Sequence, residues 1–414
     1  MTRIKKQVLL SLVFMSMFQC FAYSQGSAYS GTYTKSAPVI YQDAHDLTIS
    51  GMQITNPSGV CISLNNCYNI TIQNCKLGPS SEVAIYLFNC KNIIIKNCSI
   101  ENVASGLLSD TGTGIQFINN DVKNVQGPIP RGQMAQFDNG YGTGNKINYN
   151  TCENLVGQNN QEDAVNLYKS NGTAADPIQV IGNWIRGGGT SNSGGGLLAG
   201  DNGGSYQLFE DNICVTTGNE GIEVAGGHDI IVRKNKFYSP KTAISNVGIS
   251  VHNQYTDPSY NITIENNEVN WTFFTGELNN YYNYGNSGTI IGWSTNVYNP
   301  NLDASILPVK IIGRAIQDTI PIKQDTIPAP KPAEVNYKIY PNPIYSKSMI
   351  VTTQIPNNEK VVIYNSQGLK IIEKSLSNSK TEIDTSILGM GVYNVKIFDN
   401  EKLIEQRKIT IKSN

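Results

Sequence analysis

The sequence predicts an all-β chain whose body is a parallel β-helix, a stack of short strands wound into rungs. Two observations predict it. The first is a repeat: NITIQNCKL at Asn69–Leu77 returns as NIIIKNCSI at Asn92–Ile100, 23 residues further on. The first strand residue of this template falls at Leu47, Ile70, Ile93, Ile115, Ile147, Ile178, Tyr206, Ile230 and Ile262, spaced by 22 or 23 residues early and more widely later. A period in the twenties marks a solenoid, because one unit cannot bury its own apolar face and a stack can. The second is a turn position that keeps phase. Two residues before each closing apolar residue stands Met52, Cys75, Cys98, Asn120, Asn183, Asp211, Asn235 or Asn267, with Cys152 in a looser copy. Asn accepts tight-turn geometry, and stacked at roughly 4.8 Å its amide bonds from rung to rung.

Length and composition bound the rest. A chain of 414 residues has room for two or three domains. Charged residues are 15% and Gly is abundant at 38, as in a turn-rich all-β protein. A net charge of −1 gives no general reason for a nucleic-acid or anionic-membrane partner. Seven of the eight Cys follow the repeat, with Cys67 and Cys90 one period apart, as are Cys75 and Cys98. That pattern and the odd count favour buried free thiols over a disulfide framework.

In chain order, residues 1–24 read as a signal peptide. Arg3, Lys5 and Lys6 form a basic head, Val8–Phe18 an apolar run, and Ala22-Tyr23-Ser24 a small-residue cleavage site before Gln25. The run is too short to span a bilayer, and the mature chain is expected to have no transmembrane span. Residues 25–315 are the β-helix, with Gln25–His45 capping its first rung. From Asp46 to Asp121 the rungs are short, and Val60/Ile62/Leu64 and Val83/Ile85/Leu87 supply a second inward strand. From Gly127 the inserts lengthen, with Gly clusters at 187–189, 194–196 and 203–204 that permit tight turns or close approach of a ligand. Trp271, Phe273, Phe274, Tyr281, Tyr282, Tyr284 and Trp293 then either close the solenoid or stack on sugar rings. Residues 316–334, with QDTIP twice and APKPAE, are a Pro-rich linker, and residues 335–414 form a separate C-terminal domain.

Two resemblances follow from these motifs. Over residues 44–312 the pattern resembles the right-handed β-helices of the pectate-lyase-like superfamily, which holds polysaccharide lyases, glycoside hydrolases, epimerases, esterases and adhesins. The tail, with YPNP at Tyr340–Pro343, VIYNSQG at Val362–Gly368 and LGMGVY at Leu388–Tyr393, resembles the sorting domain of type IX secretion cargo from Bacteroidetes. That resemblance implies a small Ig-like β-sandwich, the secretion machinery as a partner, and a secreted or cell-surface location.

Outward residues on one sheet of a solenoid line a long groove. With Ile62 and Leu64 inward, the equivalent pairs are Val165/Leu167, Ile222/Val224 and Ile249/Val251. The outward side then carries Ser63, Asn166, Tyr168, Glu223, Ser250 and His252. Asp163 and Glu220 stand where plain rungs have Val60 and Val83, and an acid replacing a core-type Val asks for a reason. Lys169, Arg186, Asp201 and His228 lie in adjoining turns. Asp163, Lys169, Asp201 and Glu223 are the catalytic candidates. Glu162, Asn166, Tyr168, Arg186, Glu220, His228 and His252 are the substrate-binding ones.

Two enzyme mechanisms suit this set, with an extended polysaccharide as partner and a monomer as the expected state. A uronan lyase neutralises a carboxylate with Ca²⁺ or Arg while a Lys, Tyr or His removes a ring proton. Glu162 and Lys169–Ser170 resemble the acid and Lys-Ser elements of β-helical alginate and chondroitin lyases, whose later Arg-His-Gly is replaced here by the region of Ala199 and Asp201. A glycosidase uses two carboxyls, and AGGHD at Ala225–Asp229 resembles the Gly-His-Gly of polygalacturonases. The alternative is a non-catalytic glycan-binding or adhesin-like surface protein. Calcium is a possible cofactor, since scattered Asp, Glu and Asn serve turns and oxygen-rich metal sites alike.

Overall fold

The computed structural model describes residues 31–128, 131–313, 338–345, 348–352, 359–365, 369–376, 380–399 and 402–412. The signal peptide and the Pro-rich linker lie outside the described residues. The chain divides into two compact units, Met1–Ile320 and Pro321–Asn414.

The first unit is a β-helix of three parallel sheets with 11, 10 and 9 strands. We call them sheets A, B and C in that order. A typical rung gives Val83–Phe88 to sheet B, Lys91–Lys96 to C and Ser99–Val103 to A. Ile62, Ile85, Leu107, Ala135, Val165, Leu197, Ile222 and Ile249 pair in register as one inward column of sheet B. Each is at most 1% exposed. Burial of a side chain of this size is worth about 1.5–3 kcal/mol, and the column is continuous, so no rung is stable by itself.

The polar ladder runs through the turn before sheet A. It follows Asn120, Asn150, Asn183, Asn212, Asn235, Asn267 and Asn296. Each backbone N–H bonds the amide oxygen of the next Asn at 2.9–3.1 Å. Each side-chain NH₂ also donates to that oxygen at 2.7–3.1 Å. Asn150 and Asn212 therefore hold the places expected for Cys152 and Asp211. Asp211 instead takes a left-handed conformation at φ 55° one residue earlier. Cys61, Cys67, Cys75, Cys90, Cys98, Cys152 and Cys214 are free and buried, as the repeat implies.

The strand phase expected at two rungs of sheet C is also corrected. Ile147 pairs with Phe117 rather than Ile115, and Gln207 rather than Tyr206 pairs with Ile178 and Ile230. The column thus contains Asn145 and Gln207, each 1% exposed. Both are satisfied by irregular backbone: Asn145 donates to Tyr141 O at 2.8 Å, and Gln207 donates to Ser170 O at 2.9 Å and accepts from Gly200 N at 3.0 Å.

Insert length positions the site. Early corners before sheet B are short, whereas later ones run 126–134, 154–164, 187–196, 240–246 and 272–280. The corners after sheet B also lengthen, at 169–177 and 252–259. Long corners therefore flank sheet B from residue 126 onward, while the short corners 216–219 and 225–227 leave the strand Glu220–Val224 walled mainly by the inserts of its neighbours.

The second unit is a small antiparallel sandwich of a three-stranded and a four-stranded sheet. Its core includes Ile344, Met349, Val361, Ile363, Ile383, Val395, Ile397 and Ile409. Among the described residues no helix is long and apolar enough to cross a membrane.

Asn183 makes and receives bonds on both sides, including one to Ile147 O at 2.8 Å. Asn183→Ala strands several buried groups at once and is expected to destabilise the β-helix by about 3 kcal/mol or more. Chemical denaturation of this variant beside Cys75→Ala checks it; an equal, small loss in both would deny the ladder its role.

Candidate functional site

The outward face of sheet B and its walls form a cleft of about 530 Å³. Its floor holds the outward column Glu223, Ser250 and Tyr282, with Glu220 and Val247 at the first positions of their strands. Asn192, Ser193, Asn219, Asn246, Phe273 and Asn279 form the wall before the sheet, and His252 and Gln254 the wall after it. Glu220 and Glu223 belong to one strand, Glu220–Val224, in which Ile222 and Val224 point into the core. Both carboxyls are half-buried. Among the described residues neither they nor Asp163 joins any ion pair, and no Lys or Arg lines the cleft.

Acids gathered without a cation bind their protons more tightly than isolated ones. Burial pushes Glu220 well above the ordinary carboxylate range, and Glu223 and Asp163 add repulsion. Glu223 is also raised by burial, but Gln254 opposes this by donating to its Oε1 at 2.7 Å, while Asp201 repels it. Asp163 is 5% exposed. Burial lifts it to about 8, against a 3.0 Å bond from Gly195 N, with Glu162, Asp201 and Glu223 pushing the same way as burial. Gly195 stands between Asp163 and Glu220 in their column, where a Cβ would lie 2.6 Å from the Glu220 carbonyl oxygen.

Asp163, Asp201 and Glu223 do sit on three successive rungs of sheet B, but in different columns. Asp163 precedes its strand and is buried, Glu223 faces outward in mid-strand, and Asp201 lies past a bulge at the far end. Both Asp201 oxygens are occupied: Oδ2 accepts from Asn166 at 2.8 Å and Oδ1 from the Tyr255 hydroxyl at 2.5 Å. Tyr168 accepts from Asn202 at 2.7 Å, and Lys169 caps the Tyr168 ring with its Nζ 5.2 Å from the centroid. Glu162 accepts from Ser193 at 2.8 Å through Oε1, and its Oε2 is buried without a partner. His252 is in the cleft, its ring tilted against Tyr284 at 4.3 Å.

Two expected ligands lie elsewhere. Arg186 is on sheet A, bonded to Glu153 at 3.1 Å and to the carbonyls of Pro308 and Val309. His228 starts a strand of sheet C, paired with Asp229 at 2.6 Å and stacked on Tyr260 at 4.6 Å. It borders a smaller cleft of about 280 Å³ with Tyr255 and Tyr260. Gln254 and Tyr255 were not legible as site residues. Their one signal is a long polar insert, NQYTDPS, directly after the outward His252. Of the aromatic run, Trp271 is fully buried and closes the core, while Phe273 and Tyr282 line the cleft. Among the described residues no three His, Cys, Asp or Glu side chains stand close enough to hold a metal ion. The chemistry assigned to the cleft rests on its carboxyls.

Comparison with known proteins agrees with this architecture. Residues 38–207 match the family described as right handed beta helix region, and residues 338–412 match the secretion system C-terminal sorting domain. The chain is therefore a right-handed parallel β-helix protein with a C-terminal secretion sorting domain. That tail marks proteins exported by the type IX machinery, which makes this a secreted or cell-surface protein. No curated protein matches the chain significantly. Among solved structures it is similar to the catalytic domain of a GH87 alpha-1,3-glucanase variant in complex with tetrasaccharides, at 13% identity and a TM-score of 0.31. The match covers 61% of this chain and 54% of that one, about half its length, and carries no argument about activity.

The Asp163 carboxyl gives a pH signature. An unfolded Asp titrates near ~4, so the stability gained from its neutral folded form is complete below that pH. It is lost as pH rises toward about 8. Thermal unfolding from pH 4 to 8 is expected to show a falling Tm, with Asp163→Asn removing several degrees of the fall; an unchanged slope would contradict the assignment.

Proposed function

We propose that the protein is a secreted glycoside hydrolase that binds an extended, uncharged polysaccharide along sheet B and cleaves it between Glu220 and Glu223. The observation that carries this reading is the pair of uncompensated carboxyls in one walled cleft. Hydrolysis of a glycosidic bond needs one carboxyl that keeps its proton and one that does not. Glu220, the more deeply desolvated, is the general acid that protonates the leaving oxygen. Glu223, held toward its charged form by Gln254, is the base that takes a proton from water. The two stand at opposite parity on one strand and both reach the cleft; an attacking water between them, with inversion, is the arrangement proposed.

The charge of the cleft favours hydrolase over lyase. A uronate chain brings a carboxylate to every sugar and asks for a cation, and the polar groups lining this cleft are acids, amides, Ser, Tyr and His. Neutral sugars meet donors and acceptors from Asn219, Asn246, Asn279, Ser250 and Gln254, with the Tyr282 and Phe273 rings to stack on.

Neutral glycans and uronans offered in parallel test this, with reducing ends and unsaturated-uronide absorbance both read. The expected result is reducing ends of inverted configuration from a neutral glycan, and no absorbance. Activity should fall at low pH as Glu223 gains a proton and at high pH as Glu220 loses one. Glu220→Gln and Glu223→Gln should each lower kcat by about 10²–10⁴ while the protein melts as before. Absorbance would make it a lyase, and glycan binding with no cleavage a non-catalytic binder.

A further inference from the structure

We propose that Tyr255 and Asp201 form a latch that fixes the turn 252–259 over sheet B, so that Gln254 is held against Glu223. Asp201 is then a positioning residue, not a reacting one. This rests on the reading of Glu223 as the base of the cleft.

The turn is a short span with a defined interior. Asn253 accepts from Tyr255 N at 3.2 Å and donates to Asp257 O at 2.8 Å. From the next rung, Asn286 accepts from Asn253 N at 3.0 Å and donates to Asn253 O at 2.8 Å. Gln254 N donates to Ala225 O at 2.9 Å. Two side chains then reach back across the sheet. Gln254 reaches Glu223 at 2.7 Å, and Tyr255 crosses one rung further to Asp201 at 2.5 Å. Gly226 lets the Tyr255 ring lie against the backbone, since a Cβ there would be 3.0 Å from the ring.

Asp201 is fitted to this task. Asn166 holds its other oxygen at 2.8 Å, so the carboxylate is fixed from both sides and neither oxygen is left to meet a substrate. Asp201 does not line the main cleft, whereas Gln254 does. Tyr255 borders the smaller cleft and Gln254 the main one. Adjacent residues of one tight turn cannot move independently. Releasing Tyr255 therefore frees Gln254, and with it the hydrogen bond that favours the charged form of Glu223. The other groups facing Glu223 are Glu220, Asp163, Asp201, Tyr255 and the ring of His252.

The experiment uses full-length protein with ¹³C-labelled glutamate carboxyls, following the Glu223 titration by NMR in wild type, Tyr255→Phe, Gln254→Ala and the double variant. This readout does not require turnover, so it stands even if no glycan is cleaved and the hydrolase reading fails. Gln254→Ala is expected to move the Glu223 midpoint upward by about 0.5–1 in pH, the worth of one hydrogen bond. Tyr255→Phe is expected to move it the same way, and adding Tyr255→Phe to Gln254→Ala to move it no further, because both act through one bond. Where a glycan is cleaved, Tyr255→Phe should lower kcat about tenfold and raise the acid limb of the pH profile, with KM little changed. A Glu223 midpoint unmoved by Tyr255→Phe overturns the latch. So does a shift that persists in the double variant, which would make Tyr255 act by direct electrostatics.

Discussion

The parallel in-register stacking of rungs is the constraint on which the rest depends. It places every side chain about 4.8 Å from its equivalents above and below, so each column repeats one chemistry or alternates between compatible ones. Inside, that spacing suits amides, which donate and accept at once. The Asn120 to Asn296 ladder therefore runs unbroken through a buried corner. Carboxylates gain nothing from the same spacing. Asp110 pairs with Asp138 in sheet B, and Asp138 is raised by burial and then by Asp110, with Arg131 and Lys169 pulling it back. Near Glu220 no cation intervenes, and burial and repulsion act alone.

The fold was legible because the repeat is periodic in both apolar and turn positions. It failed at the rungs where a polar side chain enters the core. Asn145 and Gln207 occupy an isoleucine column because the neighbouring turns at Tyr141, Ser170 and Gly200 leave backbone groups to satisfy. A hydrophobic template passes over such residues and settles on the nearest apolar or aromatic one, Ile147 or Tyr206. Cys152 and Asp211 displaced Asn150 and Asn212 similarly, each lying within two positions of the true ladder residue.

The site was legible by rung and less so by column. Asp163, Glu220 and Glu223 stood out because acids in Val-like or mid-strand positions break the pattern. Arg186 and His228 were drawn in by proximity along the chain, yet a corner turns each onto a different sheet. Gln254 and Tyr255 left no sequence signal of their own, since their partners lie 31 and 54 residues earlier. All three histidines lie against a tyrosine of the next rung, His45 and His228 stacked and His252 tilted by 31°. That shared arrangement gives His228 a packing role without any ligand.

Insert length and charge together decide what the cleft is able to do. Long corners on the neighbouring rungs partly desolvate Glu220 and Glu223, and desolvation raises a carboxyl only while no cation offsets it. An Arg or Lys added to this floor would return both carboxyls to their charged forms and at the same time attract an acidic polymer. In the proposed hydrolase, the raised pKa of Glu220 and a preference for an uncharged chain both follow from one feature, the absence of fixed positive charge among the residues that line the cleft. Gln254 supplies the one asymmetry such a pair of acids needs. A neutral amide lowers Glu223 relative to Glu220 without attracting a uronate, which a guanidinium in its place would do.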